Sequence, residues 1–175
     1  MRVLSIQQAV DALETADLFS FFGGVDWQYP DPLPSYFLPK DSGPKVGLAR
    51  VLANTFLDRG PAILWMTETG IFSSAEHRDL FMKYRLSYGE GRSVEEAPVH
   101  TFEENDRDAF ISILCLGLFF YWGFEIMSRD RSLAVTVSHD EWLEYRFAPG
   151  HESIVPYFDK WLGETSFNAT QRTHR

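Results

Sequence analysis

The stretch that decides the fold is SLAVTVSHDEWLEYRF, residues 132–147. Apolar residues alternate with polar ones in its second half, where Leu143, Tyr145 and Phe147 would all face the same side of a strand. A short polar segment, Ser138 to Glu141, separates this run from the apolar run before it, which is typical of an antiparallel hairpin. A third alternating run precedes the hairpin. The sequence therefore predicts a three-stranded antiparallel meander at 122–127, 133–137 and 143–147.

Helical periodicity replaces this alternation upstream of the meander. We predict five helices, over Ser5–Leu18, from Pro44 to about Gly60, over Ser73–Tyr88, over Asp106–Phe119 and over Ser153–Leu162. Ala62–Thr67 has the character of a buried strand, and Pro98–Phe102 that of an edge strand. Helices dominate the first half and strands the second, which favours an α+β fold with a mainly antiparallel sheet over a doubly wound one.

The length and composition indicate one domain with a substantial core. The chain has 175 residues, of which 45% are hydrophobic and 15% aromatic, so a single domain over 1–163 is the natural size. Five of the nine prolines lie between Pro30 and Pro44, which indicates a stiffened arm at 23–44. We expect the tail, 164–175, to be frayed.

The charge balance limits the kinds of partner. Sixteen basic residues face 25 acidic ones, a net charge of −9, which argues against nucleic acid and acidic membranes as partners and is compatible with a basic protein. The apolar segment 109–124 is too short to cross a bilayer. The N-terminus lacks a secretory signal, and Cys115 is the sole cysteine. These features predict a cytoplasmic protein, and no cofactor is predicted.

The segment from Ser138 to Glu141 allows a structural and a chemical interpretation. Serine and aspartate are ordinary turn residues, and a hairpin turn requires no chemistry. In the chemical interpretation His139, Asp140 and Glu141 act with Glu68, which ends the buried strand, as a catalytic His/carboxylate group. His139, Asp140 and Glu68 would also be the ligands if a metal binds, although no established metal or nucleophile motif is present.

The densest charge lies between Glu90 and Asp108, where seven acidic residues accompany two arginines. Some of these acids are explained by the start of the fourth helix, whose dipole favours negative charge. The alternative is an acidic docking surface for a basic partner, with aromatic anchors beside it. The residues predicted to bind the partner are Trp27, Tyr29, Tyr36, Glu95, Glu96, Glu103 and Glu104.

Three hypotheses for the function follow. The first is a non-enzymatic protein-binding module of the inhibitor or immunity type, which uses the acidic segment and the proline-rich arm. The second is a metal-dependent or His/carboxylate hydrolase-like enzyme that uses Glu68 and the turn from Ser138 to Glu141. The third is a homodimeric structural protein whose surplus aromatic residues pack across a two-fold interface.

Overall fold

A computed structural model of the chain describes residues 1–15, 21–22, 27–28, 35–68, 77–156, 160 and 169–170. Within them eight strands form one antiparallel sheet in the order β1-β4-β3-β5-β6-β7-β2-β8. The strands are β1 (Arg2–Leu4), β2 (Ser35–Phe37), β3 (Ala62–Glu68), β4 (Val99–Phe102), β5 (Gly123–Ser128), β6 (Leu133–Val137), β7 (Trp142–Phe147) and β8 (Ala169–Thr170). The helices are α1 (Ile6–Ala12), α2 (Ser42–Leu57), α3 (Arg78–Leu86) and α4 (Arg107–Phe119).

The predicted α+β class and the meander are confirmed. Strands β5, β6 and β7 pair in sequence order, and Leu143, Tyr145 and Phe147 are all buried, as the alternation requires. Helix α1 begins at the predicted capping box, in which Ser5 and Gln8 each accept a hydrogen bond from the other's backbone amide.

Helices α2 and α4 cover one face of the sheet and enclose the main core. Their apolar side chains, such as Leu52 and Leu114, pack in one cluster with Leu64, Ile126 and Val135 of the central strands. Within the described part of the chain, none of the helices is long and apolar enough to cross a membrane.

A smaller cluster lies on the opposite face. Phe21, Phe22 and Ala9 of α1 pack there against Ile63 and Met127. This cluster draws residues from β1, β4, β3, β5 and β6, and the candidate site lies on the same face of the sheet, toward the C-terminal ends of β3 and β6.

Several predicted details differ from the structure. The described residues contain four α-helices with both ends described rather than five. Of the predicted fifth, 153–162, half the positions are described: it begins in a 3₁₀ turn at Glu152–Ile154, and residues 155–156 and 160 are α-helical. The predicted start of the third helix, Ser73, falls outside the described residues. Strand β4 is not an edge strand because β1 pairs with its outer side. Pro98 lies just before β4, so its missing N–H is not needed within the strand. Its carbonyl accepts a hydrogen bond from the Met66 amide.

The arm and the tail also contain regular structure. Ser35–Phe37 of the proline-rich arm forms β2, which pairs with β7. Ala169–Thr170 pairs with β2 as β8, so this part of the tail predicted to be frayed belongs to the sheet. These segments form strands because their backbone groups hydrogen-bond to a neighbouring strand. Local sequence does not reveal such a pairing.

Candidate functional site

The segment from Ser138 to Glu141 is the turn of the β6–β7 hairpin. The Ser138 carbonyl accepts a hydrogen bond from the Glu141 amide (3.2 Å), and the Ser138 hydroxyl accepts one from the Asp140 amide (3.1 Å). Glu141 has a φ of 66°, in the left-handed region, which is the usual way to end such a turn before the second strand. The structural interpretation of the stretch is therefore correct.

The turn also meets Glu68. A Glu68 carboxylate oxygen, Oε2, contacts His139 Nδ1 directly, although the two residues are 71 positions apart. The sheet topology explains the meeting. Strands β3 and β6 are both antiparallel to β5, which lies between them. They therefore run in the same direction, and their C-terminal ends emerge at the same edge of the sheet.

Gly123, the first residue of β5, leaves the space for this contact. A Cβ at Gly123 would lie 2.7 Å from Glu68 Oε2 and 3.0 Å from the Glu68 Cβ. A register shift between Met66 and Glu68 moves the end of β3 out of the regular ladder, as a bulge does when it redirects a side chain. The Glu68 side chain thus lies across the glycine on its way to the imidazole.

The second imidazole nitrogen of His139 also faces a carboxylate. Its Nε2 lies 3.3 Å from Asp140 Oδ1. The His139 and Glu68 side chains are 30% and 40% exposed, whereas that of Asp140 is 68% exposed. Glu68 is therefore the better-held partner, and Asp140 lies at the solvent side of the ring.

These groups line an open cavity of ≈ 520 Å³ on the face of the sheet opposite α2 and α4. It is bounded by Trp65, Thr67, Glu68, Glu125, Thr136, Val137, Ser138, His139, Asp140 and Trp142. Three of the predicted catalytic residues, Glu68, His139 and Asp140, therefore share one cavity. The fourth, Glu141, does not line it; its carbonyl accepts a hydrogen bond from Leu38.

An ion pair borders this cavity. Arg146 donates one hydrogen bond to Glu125 Oε2 and one to Thr136 Oγ1, both of 2.7 Å. The side chains of Arg146 and Glu125 are only 12% and 21% exposed. Partly buried, charge-assisted hydrogen bonds of this kind hold side chains in one orientation, so the floor of the cavity is well defined.

The described residues offer no ligand cluster for the predicted metal site. Among the residues that the structure describes, no group of three or more histidine, cysteine or carboxylate side chains is arranged to hold a metal ion. Two other histidines, His77 and His100, lie elsewhere: His77 stacks on Phe120, and His100 is fully buried beside Phe81.

Much of the charge between Glu90 and Asp108 is neutralised within the chain. Glu90 pairs with Arg92, whose hydrogen bond lowers the pKa of Glu90 to about 2. Glu95 contacts Arg78, and Asp106 contacts the N-terminal ammonium group. Of the predicted partner-binding acids, Glu96 accepts a hydrogen bond from the Ser93 amide, while Glu103 and Glu104 are exposed.

The predicted aromatic anchors are not a common exposed patch. Tyr36 is 5% exposed and stacks on Tyr145 in the main core. Trp27 is half-buried; its Nε1 donates to the Phe22 carbonyl (2.7 Å), and its ring lies under Arg146. Tyr29 lies outside the described residues.

Sequence reasoning missed the two tryptophans and Glu125. The signal was present in the alternation, because Leu64, Ile126 and Leu143 face the core and their neighbours must face the other side. Trp65, Glu125 and Trp142 are those neighbours. What the alternation lacks is the strand order, without which three residues on three strands cannot be assigned to one cavity.

Comparison with known proteins adds no relative: no protein family model, no curated protein and no solved structure matches the chain.

Proposed function

We propose that the cavity is the active site of a His/carboxylate enzyme, hydrolase-like in its chemistry, in which His139 transfers a proton and Glu68 positions it. The observation that carries the proposal is the direct contact of Glu68 with His139 at an open cavity. A histidine that a carboxylate orients and that borders a concave site is the usual arrangement for general acid–base catalysis.

The proposed step follows from the two nitrogens of the ring. With the proton on Nδ1, that nitrogen donates to Glu68, and Nε2 is the base. Nε2 takes a proton from a water molecule as the water oxygen bonds to the substrate, and the same proton passes to the leaving group as its bond breaks. Glu68 stabilises the imidazolium that exists between these events. Asp140, which is exposed, moves from Nε2 to admit the substrate.

Chromogenic esters, phosphate esters and glycosides test the proposal on the full chain. We expect His139→Gln to lower the rate by about 100-fold or more and Glu68→Gln by at least about tenfold, since positioned general bases contribute on this scale. His151→Gln is the matched control, because His151 is an exposed histidine outside the cavity. Full activity in His139→Gln would refute the proposal.

The protein-binding and homodimer hypotheses remain proposals with less support. Binding of a basic protein would rest on the exposed carboxylates of Glu103 and Glu104, and a double glutamine variant would weaken it at low salt. Exposed apolar residues, including Phe37, Leu80 and Leu86, lie on more than one element. Sedimentation velocity at micromolar concentration tests the dimer.

A further inference from the structure

The walls of the cavity hold two tryptophans on opposite sides of a shallow floor. Trp65 belongs to β3 and Trp142 to β7, with β5 and β6 between them. Three strand spacings and a two-residue offset along β7 place their backbones about 16 Å apart. Between them β6 contributes the short side chain of Thr136 and β5 contributes Glu125. The ring of Trp65 also packs against that of Phe22, with the ring centroids 5.4 Å apart. Trp142 is therefore the indole that a small ligand would contact.

The charged groups that line the cavity are predominantly acidic. Glu68, Glu125 and Asp140 are carboxylates, and within the described residues neither lysine nor arginine lines the cavity. Arg146 compensates Glu125 from beside the cavity, on the same face of the sheet. Glu68 and Asp140 flank His139, so two carboxylates share one imidazole. The cavity therefore carries a surplus of negative charge at its solvent side.

We infer that the cavity recognises an organic cation, with an alkylammonium group held against the indole of Trp142 and near the carboxylates of Glu68 and Asp140. Indole faces attract ammonium groups through the ring quadrupole, and nearby carboxylates add direct attraction. A volume of ≈ 520 Å³ suits a small ligand or one side chain. The inference rests on the proposed function, for which it names the class of substrate.

A free small-molecule cation and the lysine side chain are two sources of this group, and matched probes separate them. Choline would be titrated beside its neutral isostere 3,3-dimethylbutan-1-ol, and N-acetyl-lysine amide beside N-acetyl-norleucine amide. Chemical shifts of the indole N–H groups report binding on the full chain. We expect each cation to bind about tenfold more tightly than its neutral isostere, with the preference reduced as salt rises from about 0.05 M to about 0.5 M.

Variants of Trp142 test the aromatic wall. Trp142→Leu should lose most of the preference for the cation, whereas Trp142→Phe, which keeps an aromatic face, should retain most of it. Glu104→Gln, a carboxylate remote from the cavity, is the control and should bind as the wild type does. A similar response of the Leu and Phe variants would overturn the role of an aromatic face at this position.

The outcomes separate this inference from the proposed enzyme. If the neutral isosteres bind as tightly as the cations, or if nothing binds, the cation inference fails. If cations bind and His139→Gln leaves every measured reaction unchanged, the inference stands as a binding site and the acid–base function fails. Stronger binding of choline than of the lysine probe would assign a free small-molecule cation, and the reverse a lysine side chain.

Discussion

At the scale of single residues, Gly123 is the position on which the Glu68–His139 contact depends. Its missing side chain is the space that the Glu68 carboxylate occupies. We predict that Gly123→Ala displaces Glu68 from His139, because the new Cβ would lie 2.7 Å from Oε2. The end of a half-exposed side chain moves easily, so the expected loss of stability is below about 1 kcal/mol.

Nuclear magnetic resonance of the imidazole ring checks this prediction. The Nδ1 proton of His139 should lose its protection from exchange and its downfield shift in Gly123→Ala. Gly91→Ala is the control, since nothing lies within 4 Å of a Cβ at Gly91. An unchanged His139 signal in Gly123→Ala would show that Glu68 reaches the ring by another route.

At the scale of elements, the packing of α4 on the sheet requires another glycine. A Cβ at Gly117 would lie 2.7 Å from Phe124 Cε1, on β5. Gly117→Ala should therefore destabilise the fold by about 1–3 kcal/mol, because overpacking a core costs this much and exceeds the gain of about 1 kcal/mol in helix propensity. Denaturant unfolding measures the change.

A second helical glycine provides the matched control for this prediction. A Cβ at Gly43, in α2, would meet no atom within 4 Å beyond its chain neighbours. Because Pro44 follows and disfavours the helical region for a residue with a Cβ, the gain in helix propensity is offset, and Gly43→Ala should leave stability within about 1 kcal/mol of the wild type. Equal effects of the two alanine substitutions would mean that α4 can shift on the sheet without loss.

At the scale of the whole molecule, the buried histidine of β4 makes stability depend on pH. His100 is fully buried, and burial, together with the nearby charge of Arg85, lowers its pKa to about 3. Glu90 is the nearby acid that acts in the opposite direction. In the unfolded chain an ordinary histidine binds its proton near pH 6.5. Between about pH 6.5 and 3 the unfolded state therefore holds more protons, and stability falls as the pH is lowered.

His100→Leu should remove this dependence. Neither ring nitrogen of His100 makes a hydrogen bond of normal geometry among the described residues, and the Pro98 carbonyl, which acts to raise the pKa of His100, is outweighed by burial. An apolar side chain of similar size therefore costs little at neutral pH. Urea unfolding of wild type and variant at several pH values between about 4.5 and 7.5 would show the wild-type slope, up to about 1.4 kcal/mol per pH unit, reduced in the variant. Equal slopes would assign the acid sensitivity to other groups, such as the pair of Glu90 and Arg92.

The three scales differ in how far the sequence alone could predict them. The capping box at Ser5, the hairpin turn at Ser138 and the burial of Leu143 follow from spacings of two to four residues, and all three agree with the structure. The choice of Glu68 as the partner of His139 rested only on its place at a strand end. Burial of Tyr36 was not predicted, because the pairing of β2 with β7 leaves no local pattern.

The sequence by itself determined the main helices and the strands of the meander, since each depends on the period of apolar residues and on the caps and turns beside them. The short strands β1, β2 and β8 exist through their pairing with other strands. The tertiary structure alone decided that β5 lies between β3 and β6 and that Gly123 leaves room over it. Strand order depends on pairings between distant segments, whose competing alternatives have the same local patterns. For this reason the turn could be predicted from the 16 residues 132–147, whereas the cavity lined by Trp65 and Trp142 could be located only from the strand order of the complete sheet.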